Sequence, residues 1–550
     1  MASTNTSRPI QKDAISTEIA LPDSQATDAE VRHSIFSKSQ RRGVTLMIGV
    51  AMMFSPLSAN IYLPCIPLLQ KDMQTSTQLI NLTITAYIIV QGVAPAFLGE
   101  LSDKLGRRPV YILAFGFYVA ANIGLAMQDA YAALLSLRML QSLGASATVA
   151  IGYGVVADMV TPAERGRMLG PAMVATNLGP ILGPVIGGPL AAAAGWRWVF
   201  WLLTILGSVF LLLILLFLPE TCKTIVGNGS IPAQGWNRSW VSYLSGAPTE
   251  KQSPDADEQH AISSPSRTKH FMAFIPNPWK SVRLLFEKDT SLVLSLSGMF
   301  YMAYYIVQAS IPTSLSQIYH YSAADIGLCY FTIGFGVALG GYINGSILSG
   351  MLSPYVSVGK VMDHNYRSTA QNHGLEINKV AGDDLRAFHI EEARSRFAAI
   401  YILLHSVLLV SYGWLLHQKT VSPFYCSTFR FLVFNPDINI GPLILQFCIG
   451  FIASVIVQTF NTLLVDIHQD IPSTAAAAGN IVRCGLAAGG VAVMQPLLRR
   501  LGYGFFFTVL GCVTGVAGLI FVSIIRRHSM RWRFQRGDKK QEVAFNELPY

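Results

Sequence analysis

Two arginines stand where arginine is expensive. Arg138 and Arg483 each lie inside a long, mostly apolar run. If those runs cross a bilayer, a fixed charge there costs several kcal/mol unless it is paired or hydrated. Arginine stays protonated at physiological pH, so neither residue can itself carry a proton. Each can lower the pKa of a neighbouring acid, or hold an anion and release it. The nearest acids, Glu100, Asp158 and Asp466, sit toward the ends of their apolar runs. A structural arginine bonded to backbone carbonyls is the plain alternative. A second constellation is Gly99-Glu-Leu-Ser-Asp103-Lys-Leu-Gly106-Arg107-Arg108. Asp103 there faces several cations and can accept charge-assisted bonds. Gly99 allows close helix approach and Gly106 a tight turn. A third group is polar within apolar runs: Asn60, Thr85, Tyr87 and Gln91, then Tyr301, Tyr304, Tyr305 and Gln308, with Asn480 beside Arg483. Aromatic faces with a few amides suit flat organic molecules. Interhelical hydrogen bonding is the ordinary use of each residue.

Enzyme chemistry finds no support. The seven cysteines form no C-x-x-C pair, so neither a metal cage nor a disulfide framework is expected. Gly334-Phe-Gly336-x-x-x-Gly340 follows no strand and reads as a helix face. No cofactor, no metal and no ATP-binding domain are expected, which excludes primary pumping.

The elements that position these residues follow from composition. The chain is 51% hydrophobic and 13% charged. Soluble domains carry roughly 25% charged residues. Apolar runs long enough to span ~30 Å of hydrocarbon recur along the chain. In lipid they must be helices, because backbone groups find no water. Spans are predicted near 43–64, 76–99, 110–128, 131–157, 168–192 and 197–218. A second set is predicted near 290–316, 324–345, 396–416, 440–466, 473–497 and 502–525. The polar start reads as a cytoplasmic tail (1–42), with no signal peptide. Ser, Pro and charge mark 219–289 as a cytoplasmic linker. It separates an N-terminal bundle (43–218) from a C-terminal bundle (290–525), and 526–550 forms a second tail.

Of 40 Lys and Arg, 32 fall in segments on the side of the N-terminus, 6 on the opposite side, and two inside helices. This is the positive-inside pattern, with both termini cytoplasmic. The net charge of +9 therefore reads as membrane-face anchoring rather than nucleic-acid binding. The halves also echo each other. Gly359, Asp363 and Arg367 repeat the offsets of Gly99, Asp103 and Arg107, and Asp158 and Asp466 close matching runs. The fold class is thus an all-α membrane protein of two six-helix bundles related by a pseudo-twofold axis.

Three motifs carry a resemblance to the major facilitator superfamily, in particular the fungal twelve-helix drug:proton antiporters of the quinidine-resistance and citrate-exporter branch. The first is Gly99 to Arg108, matching G-x-L-x-D-x-x-G-R-R/K. The second, Arg138-Met-Leu-Gln141-Ser-Leu-Gly144, resembles R-x-x-Q-G, with Ser142 where glycine is usual. The third, Gly179-Pro180-Ile-Leu-Gly183-Pro184-Val-Ile-Gly187-Gly188, fits G-x-x-x-G-P-x-x-G-G. Gly195-Trp-Arg-Trp198, Leu218-Pro-Glu220-Thr221 and Asn480 to Gly490 are typical of the subgroup, and Pro56 and Pro64 are expected to break the first helix.

The resemblance implies roles. Gly99, Asp103, Gly106, Arg107 and Arg108, with Asp363 and Arg367, would form a conformational latch. Arg138, Gln141 and Asp158 would serve proton coupling. Gly179, Pro180, Gly183, Pro184, Gly187 and Gly188 would form the antiporter motif, packed on a helix of the other half. Asn60, Thr85, Tyr87, Gln91, Tyr301, Tyr304, Tyr305, Gln308, Asn480 and Arg483 would line the cavity. The implied activity is proton-coupled export of drug-like compounds or fungal secondary metabolites from the plasma membrane, by a monomer. The alternatives are a citrate-type anion exporter and a non-transporting sensor on the same scaffold. Residues 346–359 and 423–437 exceed the family pattern, either as retained intron sequence or as genuine family variation; the first would carry the eighth helix beyond the membrane.

Overall fold

The computed structural model describes residues 36–160, 162–227, 235–238, 279–344, 390–418, 440–468 and 472–546. Asp363, Arg367, most of the linker and the two extra stretches lie outside the described residues. Twelve long helices stand among those described. They are α1 (Lys38–Ile61), α2 (Thr77–Leu105), α3 (Arg107–Met127), α4 (Tyr131–Met159), α5 (Pro162–Ala194) and α6 (Trp196–Phe217). The second set is α7 (Lys288–Tyr319), α8 (Ala323–Asn344), α9 (Ala398–Gln418), α10 (Ile440–Ile467), α11 (472–501) and α12 (503–546).

Local chemistry sets several boundaries. Ser37 and Gln40 form a reciprocal capping box at the start of α1. Ser76 caps α2 by accepting from the Leu79 amide at 3.3 Å. Gly106, at φ +106°, makes the turn between α2 and α3, and Gly502, at φ +73°, separates α11 from α12. Two boundaries differ from expectation. α1 runs unbroken through Pro56 and ends at the turn containing Pro64. α12 continues as helix to Asn546, where the sequence reads as a tail from 526.

That continuation is held by buried ion pairs. Arg533 meets Glu391 at 3.4 Å, and Arg536 meets Glu287 at 2.9 Å and also Asp289. Glu391 and Asp289 are 3% and 1% exposed. A carboxylate that deeply buried needs a cation, so the charges of the tail fold it back onto the second half.

Packing repeats every three helices. α3, α6, α9 and α12 turn large apolar side chains outward, among them Met127, Val209, Phe217, Val407, Val513 and Val516. Such a surface suits lipid rather than water. α1 packs on α4 and α5, and α7 on α10 and α11. α5 against α8 and α2 against α11 join the two halves. The candidate site lies along these junctions.

Candidate functional site between the two halves

Arg138 is 0% exposed. Its guanidinium lies 4.2 Å from the Tyr62 ring centre and 4.4 Å from that of Tyr87. Its Nη1 donates to Gln141 Oε1 at 2.6 Å and to the Ser58 carbonyl at 3.3 Å. Gln141 passes the chain on to Asn122 Oδ1 at 2.6 Å. Nε and Nη2 of Arg138 have no hydrogen-bond partner among the described residues. The charge is thus stabilised by two ring faces and two oxygens rather than by a carboxylate. Ser142, the departure from the family pattern, donates to the Tyr87 carbonyl at 2.7 Å and ties α4 to α2.

The acids expected near Arg138 are engaged elsewhere. Asp158 pairs with Arg107 at 3.0 Å, Asp466 with Arg394 at 3.0 Å, and Glu100 with Lys104 at 3.5 Å. Asp158 therefore belongs geometrically with the 99–108 turn, not with Arg138 and Gln141.

In that turn Arg107 also meets Asp103 at 2.5 Å, and Asp103 is 57% exposed. The Arg107 guanidinium lies over Gly154, where a Cβ would strike it. A Cβ on Gly106 would fall 2.5 Å from Glu220 Oε2, so the turn needs glycine for space as well as for φ. Gly99 approaches Ala150 of α4. Glu220, 4% exposed, accepts from the Arg107 and Arg108 amides at 2.9 and 3.2 Å. It also accepts from the Thr221 and Cys222 amides at 2.9 Å. This is an anion on the amide-bearing end of α3. Arg108 donates to the carbonyls of Leu215, Trp236 and Arg238, pinning the start of the linker under the turn. Sequence reasoning noted Glu220 only as a subgroup mark. Arg394, the partner of Asp466, was missed, because the repeated Gly-x-x-x-Asp offsets pointed to Arg367.

The small-residue motif of α5 packs differently from expectation. A Cβ on Gly179 would meet Pro56 and Leu57, and one on Gly183 or Gly187 would meet the backbone of Ile61. That face therefore packs on α1 of the same half. The next face reaches across: Gly188 meets Ala323 and Gly327 of α8, and the Pro184 carbonyl meets Gly327. Pro180 is half-buried beside them. The spacing of small residues marks a close approach but not the partner, since helix phase relative to neighbours is a tertiary property.

The remaining polar residues form a seam. Asn480 of α11 donates to the Gln91 carbonyl of α2 at 2.9 Å, and its Oδ1 accepts from Arg483 Nη2 at 2.9 Å. A Cβ on Gly92 would lie 2.8 Å from that of Cys484, so α2 and α11 touch nearly backbone to backbone. The Arg483 guanidinium lies 4.9 Å from the Tyr301 ring centre. Tyr301 and Tyr305 are 5.0 Å apart, Tyr304 and Tyr305 6.0 Å. Gln308 donates to the Tyr304 hydroxyl at 2.8 Å. Tyr87 donates to the Ser55 carbonyl at 3.1 Å, and Gln91 to the Ser55 hydroxyl at 3.2 Å. Asn60 Oδ1, Thr85 Oγ1, Gln91 Oε1 and Gln308 Oε1 are buried without a protein partner among the described residues. Buried polar atoms of that kind ask for water or a polar ligand.

Two six-helix halves that meet along a polar seam define a membrane transporter for small molecules. The major facilitator superfamily pattern matches residues 48–359, more than half of the chain. Citrate exporter 1 of Aspergillus niger is 33% identical, over 96% of this chain and 93% of that protein. The MFS-type transporter tstD of Talaromyces stipitatus is 34% identical, over 93% and 86%. The chain belongs to the major facilitator superfamily, among its fungal transporters. The human organic anion transporter MFSD10 (TETRAN) shares the fold, with a TM-score of 0.51 at 17% identity, over 88% of this chain and all of that one.

Proposed function

We propose that this chain is a proton-driven antiporter that exports drug-like compounds or fungal secondary metabolites from the plasma membrane by alternating access. It works as a monomer with both termini and the linker in the cytoplasm. The observation that carries the reading is where the halves touch. Gln78 Nε2 donates to the Ala492 carbonyl at 2.9 Å. Gly188 packs on Ala323 and Gly327. The short helix Ile66–Asp72 packs on α7. All three contacts lie toward the end of the bundle opposite the 99–108 turn. At the turn itself, Asp103 pairs with Arg107 of its own half. Contacts running from that end to mid-span, where Gly92 meets Cys484 and Asn480 holds the Gln91 carbonyl, suit two rigid bodies that rock about the seam. By the positive-inside distribution the turn faces the cytoplasm, so the path is open inward.

The test is uptake into inside-out vesicles holding the full chain. Accumulation of a substrate should appear with an imposed pH difference and collapse with a protonophore. Accumulation that ignores the protonophore would remove proton coupling from the reading. External cleavage of the linker in intact cells would reverse the topology.

A further inference from the structure

We propose that the substrate is an organic anion with a flat, hydroxylated body, and that Arg483 takes its carboxylate. This names the substrate class of the path described above and rests on that reading of it.

Arg138 and Arg483 put two fixed cations beside the seam. Four described acids at the turn end are committed to other cations: Asp158 to Arg107, Asp466 to Arg394, Glu391 to Arg533, and Asp289 to Arg536. Neither Arg138 nor Arg483 forms an ion pair among the described residues. Neither can shed its proton to relieve the cost. A path with positive excess attracts anions and opposes cations.

The two arginines differ in burial and position. Arg138 is fully buried inside the first half, between the rings of Tyr62 and Tyr87, and reads as part of that half. Arg483 is half-buried, on a helix that touches both halves. A guanidinium carries five N–H donors in a planar fork that matches a carboxylate. Among the described residues Asn480 Oδ1 takes one of them, and Nε is buried without a partner. The fork is thus held in place on Tyr301 with donors to spare.

Tyr301, Tyr304 and Tyr305 stand within 5.0 to 6.3 Å of one another beside that fork. Tyr301 is the half-buried ring of the three, backed by Tyr304 and Tyr305 at 8% and 6% exposure, and its face suits a planar body. Gln91 Oε1 and Gln308 Oε1 are buried acceptors without a protein partner among the described residues, suited to substrate hydroxyls. Asn480 links this site to the junction of the halves, since the same amide holds Arg483 and donates to α2. Seating an anion on Arg483 therefore bears directly on the α2–α11 contact.

The experiment measures binding to the purified full chain in nanodiscs, with no gradient. The probes are a dihydroxybenzoate, its neutral methyl ester, citrate and tetraphenylphosphonium. The parent should bind the dihydroxybenzoate at least tenfold more tightly than the ester or the cation. Arg483→Gln should erase the acid-over-ester preference while keeping ester binding, which also reports an intact site. Arg483→Lys should keep part of the preference, because it keeps the charge but loses the fork; it carries the test should Arg483→Gln not assemble. Equal binding of acid and ester by the parent overturns the proposal. So does an unchanged preference in both variants, tighter binding of the cation, or failure of every acid to bind. Citrate binding above the aromatic acid keeps Arg483 and overturns the flat-body assignment. Acid binding without vesicle accumulation removes the transport reading alone. Accumulation restricted to cations removes this inference alone.

Discussion

Gly183→Ala is the smallest change that tests the packing of α5. A Cβ there would stand 2.8 Å from the Ile61 amide nitrogen, 3.0 Å from the Leu57 carbonyl oxygen and 3.2 Å from the Asn60 carbonyl carbon. Every one of these is backbone, so no side chain can swing aside. Ordinary contact begins near 3.4 Å, which obliges α1 to retreat by about 0.6 Å. That segment also carries Ser58 and Tyr62, which hold Arg138. Overpacking of this kind costs roughly 1–3 kcal/mol. Thermal unfolding of the purified chain should show a lower Tm for Gly183→Ala than for the parent, with slower transport. Gly183→Leu, with three further carbons, should fail to assemble or should leak protons. The control is Gly489→Ala, also in a glycine-rich helix, where a Cβ meets nothing within 4 Å. It should match the parent. If Gly183→Ala matches the parent as well, the close approach of α5 to α1 is wrong.

Asp103→Asn should leave the protein folded in the membrane, because Arg107 keeps Asp158, but should slow vesicle transport about tenfold by weakening a charge-assisted contact; full transport at normal expression would end the latch role. Arg138→Ala should lose its response to an imposed pH difference, and Arg138→Lys should keep part of it, since the planar fork between Tyr62 and Tyr87 is lost while the charge remains; a parent-like response of Arg138→Ala would make the arginine structural. Glu220→Gln replaces a carboxylate that accepts from four amides with a group bearing donors of its own, so Tm should fall with a loss of about 1–3 kcal/mol. Arg536→Ala leaves Asp289 buried without its strongest cation and should cost about 3–5 kcal/mol, read as a lower Tm; an unchanged Tm would mean that the α12 continuation does not dock.

Much of the architecture was legible along the chain, because spanning helices are a one-dimensional property. An apolar run of sufficient length must become a helix in lipid whatever its neighbours are. Gly106 marks a turn by what glycine alone allows, whereas the break at Gly502 showed only in the structure. Arg138 and Arg483 announced themselves by position, since a charge within such a run demands a reason. Partners were not legible. Pattern alone could not say that Arg138 rests on Tyr62 and Tyr87, or that Asp158 is taken by Arg107. It could not tell that the Gly179, Gly183 and Gly187 face meets α1 while Gly188 meets α8. Nor could it show Glu220 capping α3, Arg394 pairing with Asp466, or the arginines after 526 folding onto buried acids. The reason is physical. Length and hydropathy decide that a helix forms, but a helix apolar on most sides has little preference for one rotation about its axis. Close packing of small residues and the pairing of buried charges choose that rotation, and both exist only once the helices have met.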